Sequence, residues 1–214
     1  MNRPGLVILT VVCFAVCSFC SAGELNIEEF IDNASITYKT GFEINTTVDR
    51  WNRILDNPVL MGRLWKLYEF SPKYVISSKG TGYHIFDPSG IEGDLEILEA
   101  DDNHRIFFGK GKMKNWFVPV SLRGNAIFLL YHTVTHNRVS VKLNIFGEGG
   151  DTFLTRLLLK AISPILSMSI HRRVTNNLRD LKIIVNDIEN NPDAIKPFLS
   201  GDTLKDFNLL LEYL

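Results

Sequence analysis

Cysteine is confined to one end of this sequence. Cys13, Cys17 and Cys20 lie in the first 20 residues, and none follows as far as Leu214. A body without cysteine has neither disulfides nor a thiolate-ligated metal to hold it, so its apolar core must supply the stability. An excess of one charge is lacking too. Beyond residue 23 the chain carries 22 Lys and Arg (the full 23 less Arg3) against 24 Asp and Glu. That balance excludes the basic surplus on which nucleic-acid binding relies, and no nucleic-acid partner is expected. No apolar run of membrane-spanning length follows Phe19. Nucleophile-elbow, P-loop and dinucleotide-binding glycine spacings are also missing, Gly147-Glu148-Gly149-Gly150 having the wrong interval and following the wrong kind of sheet. No cofactor is expected, and no catalytic residue is assigned.

What precedes Glu24 is of a different kind. MNRPGLVILTVVCFAVCSFCSAG carries one positive charge at Arg3, an apolar run from Leu6 to Phe19, and small residues at Ser21, Ala22 and Gly23. Residues 1–22 read as a secretory signal peptide, with export to a periplasmic or extracellular compartment after cleavage near Ala22. The alternative is a retained N-terminal membrane anchor, against which the run falls short of the roughly 20 residues a span needs. The cysteines lack the preceding small residues that lipidation requires.

In the body, the hydrophobic period changes type from segment to segment. Ile36, Tyr38, Phe42 and Ile44 share one side of a strand, with Thr37, Lys39 and Glu43 on the other. Thr46 then serves as a helix cap, with Val48, Trp51 and Leu55 at helical spacing. Asn57 and Pro58 restart a second short helix by capping it and opening its first turn. From Lys73 to Phe146 short strands alternate with turn residues, as in an antiparallel meander. The clearest are Ile91 to Ile97, with Glu92, Asp94 and Glu96 on the wet side, and the hairpin of Asn125–Thr135 with Arg138–Phe146. After Asp151 a helical region, broken by Pro164, ends in the stripe Val174, Leu178, Leu181, Val185 and Ile188. Leu204, Phe207, Leu210 and Leu211 mark an amphipathic helix in the tail, residues 197–214.

This order implies an α+β helix-grip fold over residues 23–196. A curved antiparallel sheet of about six or seven strands wraps a long C-terminal helix, and two short helices after the first strand close one end. From Ser35 to Pro192 the chain resembles the START and polyketide-cyclase-like (SRPBCC) superfamily, which also holds plant pollen-allergen-type carriers. The resemblance rests on the element order, on FEINTTVDRWNRILDNP and on VTNNLRDLKIIVNDIE. It implies binding or transport of a hydrophobic or lipid-like small molecule between sheet and helix.

The residues expected around that cavity are Tyr38, Phe42, Ile97, Phe108, Phe128, Leu130, His132, Leu143 and Met168. A second reading makes the cavity a cyclase- or dehydratase-type active site in which Tyr38, Tyr83, Tyr131 or His132 polarises a carbonyl or moves a proton. A third makes the chain a filled-core module for protein contacts. An almost wholly apolar inward set favours binding. His132 and His136 straddle a strand end rather than sharing a helix face, so no metal site is assigned. Lys110, Lys112 and Lys114, leading into Trp116 and Phe117, are candidates for transient contact with anionic membrane. Ile127, Leu129 and Tyr131 form a second apolar side on the strand Asn125–Thr135. A homodimer contact, the tail helix or a membrane is expected to cover it.

If residues 1–22 are removed on export, N-terminal sequencing of the protein from fractionated cells returns a start near Gly23 in the soluble exported fraction. An intact Met1 in the membrane pellet is the opposite result.

Overall fold

The computed structural model describes residues 25–88, 90–115, 118–149 and 153–212, with no side-chain description over 113–122 and 153–166. The segment read as a signal peptide lies outside these residues.

Seven strands form one antiparallel sheet: β1 (Ile36–Asn45), β2 (Val75–Lys79), β3 (Gly82–Asp87), β4 (Ile91–Ala100), β5 (His104–Asn115), β6 (Val118–Thr135) and β7 (Arg138–Gly149). Their spatial order is β1-β7-β6-β5-β4-β3-β2, a meander whose last strand returns beside the first. The helices are α1 (Ile27–Asn33), α2 (Val48–Asp56), α3 (Pro58–Leu67), α4 (Phe153–Asn190), α5 (Pro192–Ile195) and α6 (Gly201–Leu211). The helix-grip architecture is therefore present. The tight β2–β3 turn depends on glycine: Gly80 has φ +58°, and a Cβ on Gly82 would sit 2.4 Å from the Leu95 carbonyl oxygen.

The main core lies between the concave face of the sheet and α4. Val139, Val141, Leu143 and Ile145 enter it from β7, and Val174, Leu178, Leu181, Ile184, Val185 and Ile188 from α4. The two elements at the rim, β1 and α4, run parallel and are joined near both ends. At one end the Tyr38 hydroxyl meets His171 Nδ1 at 3.2 Å. At the other, Glu189 accepts hydrogen bonds from the Thr46 hydroxyl and from buried Arg50 of α2. Tyr38 to Thr46 spans about 26 Å of strand, and His171 to Glu189 about 27 Å of helix, so the rises of the two elements match and both joints can close. Tyr68, just after α3, donates to Asp187 at 2.8 Å and adds a third tie.

Several expectations need correction. The cap of α2 is Thr47, which accepts from Arg50 N at 3.3 Å, because Thr46 is drawn away to Glu189. Helix α4 is continuous past Pro164. The proline removes one backbone donor, and 38 residues of helix absorb that loss. Helix α6 does not cover the outer face of β6. It lies against α2 and α3, burying Phe207 and Leu210, with Arg53 donating to the Leu209 carbonyl at 2.6 Å and Arg63 to Thr203 at 2.9 Å.

The cover on the outer face is α1. Asn26 caps it by accepting from Glu29 N, and Glu28 and Glu29 suit its N-terminal dipole. Phe30 then packs edge-on to Phe108 at 6.2 Å, within a second core of Ile106, Ile127, Leu129 and Phe146. Ile127 and Leu129 are thus covered within the monomer, so the homodimer contact expected through them loses its surface. Tyr131 stays half exposed and stacks on His104.

Arg50→Met leaves Glu189 without its cationic partner and should lower unfolding free energy by about 3 kcal/mol in chemical denaturation. Adding Glu189→Leu should restore most of that loss, because the stranded charge is then gone.

Candidate functional site

A cavity of about 90 Å³ lies inside the grip and is partly open. Phe42 of β1, Trp51, Ile54 and Leu55 of α2, and Pro58, Met61 and Trp65 of α3 form one side. Leu95, Phe107, Phe128, Leu130 and Leu143 of the sheet and Leu181 of α4 form the other. The wall is apolar throughout. Its aromatic members interlock, Phe42 meeting Trp51 edge-on at 6.0 Å. The cavity exists because α2 and α3, separated by the non-helical Asn57, roof the inner face of the sheet without filling it.

Of the nine residues expected to surround it, Phe42, Phe128, Leu130 and Leu143 are on the wall. Tyr38 and Ile97 pack against the same core beyond the wall. Phe108 faces the opposite side, under Phe30, and its place is taken by Phe107. The run Ile106-Phe107-Phe108 is apolar on both sides because β5 is buried on both faces, so alternation there carries no signal. Met168 is 68% exposed. The helical period carries it about 140° round α4 from Leu181. Trp51 and Leu181 were legible as core stripe members and Trp65 was not, and only the packing of α2, α3 and α4 over the sheet makes the three a wall.

His132 follows Leu130 on the inward side of β6 and is 3% exposed. Among the described residues neither of its ring nitrogens reaches a well-formed hydrogen bond. Burial pushes its pKa down; the Asp102 backbone pulls the other way, and the Arg105 and His104 charges add to the fall. Arg105 is itself buried and bound to Asp56 at 3.0 and 3.3 Å. The other candidates for carbonyl chemistry sit apart. Tyr38 is bound to His171, Tyr83 donates to the Asp56 carbonyl at 3.2 Å, and Tyr131 is on the outer face. His136 occupies the β6–β7 turn at φ 57°, away from His132. Among the described residues no three His, Cys, Asp or Glu side chains come close enough to hold a metal ion.

The outer acids form a cross-strand charge ladder. Glu92 pairs with Lys112 at 2.8 Å, and Asp94 with Lys79 at 2.6 Å and His84 Nδ1 at 2.8 Å. The Lys112 hydrogen bond holds the Glu92 carboxyl below its usual range. Partial burial raises the Asp94 carboxyl, but Lys79 and His84 outweigh it and the balance is a lowered pKa. Of the cations expected at a membrane, Lys112 is thus engaged by Glu92, and Lys110 lies over the Phe108 ring at 5.1 Å. The Lys114 side chain, Trp116 and Phe117 lie outside the described residues.

No protein-family model matches the chain, and no curated protein matches it in sequence. Solved structures do match in shape. A conserved protein from Geobacillus kaustophilus aligns at a TM-score of 0.53 with 12% identity, covering 71% of this chain and 96% of its own. A protein from Arthrobacter aurescens aligns at 0.50 with 12% identity, over 72% and 87%. Truncated norcoclaurine synthase from Thalictrum flavum aligns at 0.47 with 12% identity, over 72% and 93%. The first two establish a shared fold and nothing finer.

Because the fold favours neutral His132, the unfolded chain takes up that proton first, near pH 6.5. Stability should therefore fall as pH drops below about 6.5, and His132→Phe should flatten that part of the profile. A further loss near and below pH 4 should remain, from Glu92 and Asp94, whose stabilisation is present above their unfolded pKa values and lost as they protonate. Urea titrations between pH 3 and 8 measure both limbs.

Proposed function

We propose that this chain is an exported helix-grip binder of the SRPBCC type. Its ligand is a small hydrophobic molecule, or the apolar end of a larger one, held between sheet, α2–α3 roof and α4. The observation that carries this reading is the cavity's unbroken apolar wall at the centre of the grip. Apolar surface buried there contributes at about 25 cal/mol per Å². Size sets the class. At about 90 Å³ the space is well below the roughly 300 Å³ at which drug-sized pockets begin. A whole fatty-acyl chain therefore requires the roof to lift, whereas a single ring or a few methylenes fits with small side-chain shifts.

Binding is favoured over cyclase or dehydratase chemistry because His132 and the three tyrosines do not converge on one point of the wall. Catalysis of that kind needs an acid and a base within reach of the same substrate atom.

Toluene, as a single-ring probe, should raise the melting temperature in proportion to the logarithm of its concentration once above its Kd. Leu143→Phe should fill the space, abolish that shift and leave a folded protein. If neither toluene nor any co-purified molecule seen by native mass spectrometry stabilises the wild type, the core is filled and the protein-contact reading takes its place.

A further inference from the structure

Helix α4 presents one residue to the core that breaks its own pattern. Asn177 is fully buried, yet neither its amide nitrogen nor its carbonyl oxygen meets a hydrogen-bond partner among the described residues. Seven residues on, the equivalent position is Ile184, equally buried and apolar. Packing alone would therefore place a branched aliphatic at 177. Buried polar side chains are almost always satisfied, so an amide here calls for a partner from outside the chain.

Its surroundings connect it to the cavity. Leu181, one turn along the same helix face, is on the cavity wall. Arg173, one turn back, lies 3.5 Å from the fully buried Asp87. Tyr74 is held well above its usual pKa by burial, then by Asp87, against the pull of Arg173, with Asp180 adding. Arg173 and Asp180 thus bracket Asn177 along α4 and both act on Tyr74. The Tyr74 ring in turn packs on Trp65 at 6.0 Å. Trp65 belongs to the cavity wall, and its indole N–H also lacks a partner among the described residues.

Charge at this end decides what kind of head group is tolerated. Asp87 and Asp180 are buried carboxylates; Arg173 is largely buried, whereas Arg179, which reaches Asp180 at 2.8 Å, is mostly exposed. Each carboxylate has its own guanidinium, so a carboxylate head brought here would add a third anion to two already buried, with those two guanidiniums engaged. An amide can donate and accept at once, as can a hydroxyl or a carboxamide.

We infer that Asn177, which is not itself on the apolar wall but lies one turn along α4 from Leu181 of that wall, is the polar group that a ligand reaching past the wall would meet. It selects a neutral amphipathic ligand, bearing a hydroxyl or carboxamide beside a ring or short chain, over the bare hydrocarbon skeleton and over the carboxylate. This rests on the cavity binding a small apolar molecule.

The test compares toluene, benzyl alcohol and benzoate as ligands of the full mature protein and of Asn177→Leu. In the wild type benzyl alcohol should bind at least as tightly as toluene, and benzoate more weakly than either. In Asn177→Leu toluene should still bind, while the preference for benzyl alcohol falls about tenfold, the worth of one to two hydrogen bonds. In parallel, the Asn177 side-chain amide resonances of the wild type should move on titration with benzyl alcohol and stay fixed with toluene. This second measurement stands even if Asn177→Leu does not fold. Toluene binding without any response of Asn177 to the alcohol, an unchanged preference in Asn177→Leu, or benzoate binding best each overturns the role of Asn177 and leaves the cavity reading intact. Failure of all three compounds to bind the wild type overturns both.

Discussion

Glu189 is where the three layers of the molecule are fastened. Its carboxylate receives Thr46 from the end of β1 and Arg50 from the first turn of α2, so one side chain of α4 fixes the strand, the roof and the gripped helix relative to one another. A curved sheet with free edges has no closure of its own to set its curvature. Here the setting comes from α4, held against the β1 rim by Tyr38 and His171 at one end and by Glu189 at the other. The matched spans of strand and helix between these joints fix how far the sheet can flatten. Because the Arg50 side of the pair is almost wholly desolvated, specificity of arrangement is a better account of its role than raw stability.

The same arrangement explains why the cavity is small. Two tryptophans, three phenylalanines and several leucines point into a space that the α2–α3 roof keeps open and the sheet keeps narrow. Filling it completely would require the roof to lie flat on the strands. The proline at the start of α3 and the cap at Asn57 impose a corner instead, and the corner is the reason a gap survives in an otherwise close-packed core.

How much of this could be read from the chain depends on whether each element has a wet face. Strands β1 and β7 alternate cleanly because one side meets water, and the Asn57-Pro58 start of α3 is local chemistry. These were legible, and with them the order of elements. The phase of strand β5 was not, since Ile106, Phe107 and Phe108 are buried on both sides and the period vanishes where α1 covers the sheet. Helix α1 itself carries a readable signature, an Asn26 cap followed by Ile27, Phe30 and Ile31. At seven residues it is too short to persist alone, and it gains meaning only once β6 is known to need a cover. Thr46 and Thr47 are interchangeable as caps by sequence; a residue 143 positions away decides between them. His132 was legible as an inward residue from its strand side, but its burial without a well-formed hydrogen bond is a property of the packed state. The wall lost Phe108 to Phe107 and lost Met168 for phase reasons, and gained Trp51, Trp65 and Leu181 from the way the helices pack over the sheet.

The chain has three tryptophans, and two of them, Trp51 and Trp65, are almost wholly shielded from water on opposing turns of the same roof. Indole emission shifts with the polarity and crowding around the ring. A guest settling beneath these two rings, or water flooding in after the roof lifts, would therefore change the colour and intensity of the protein's own ultraviolet fluorescence in opposite directions. The molecule carries an optical gauge of what its interior holds, built from the side chains that shape the space.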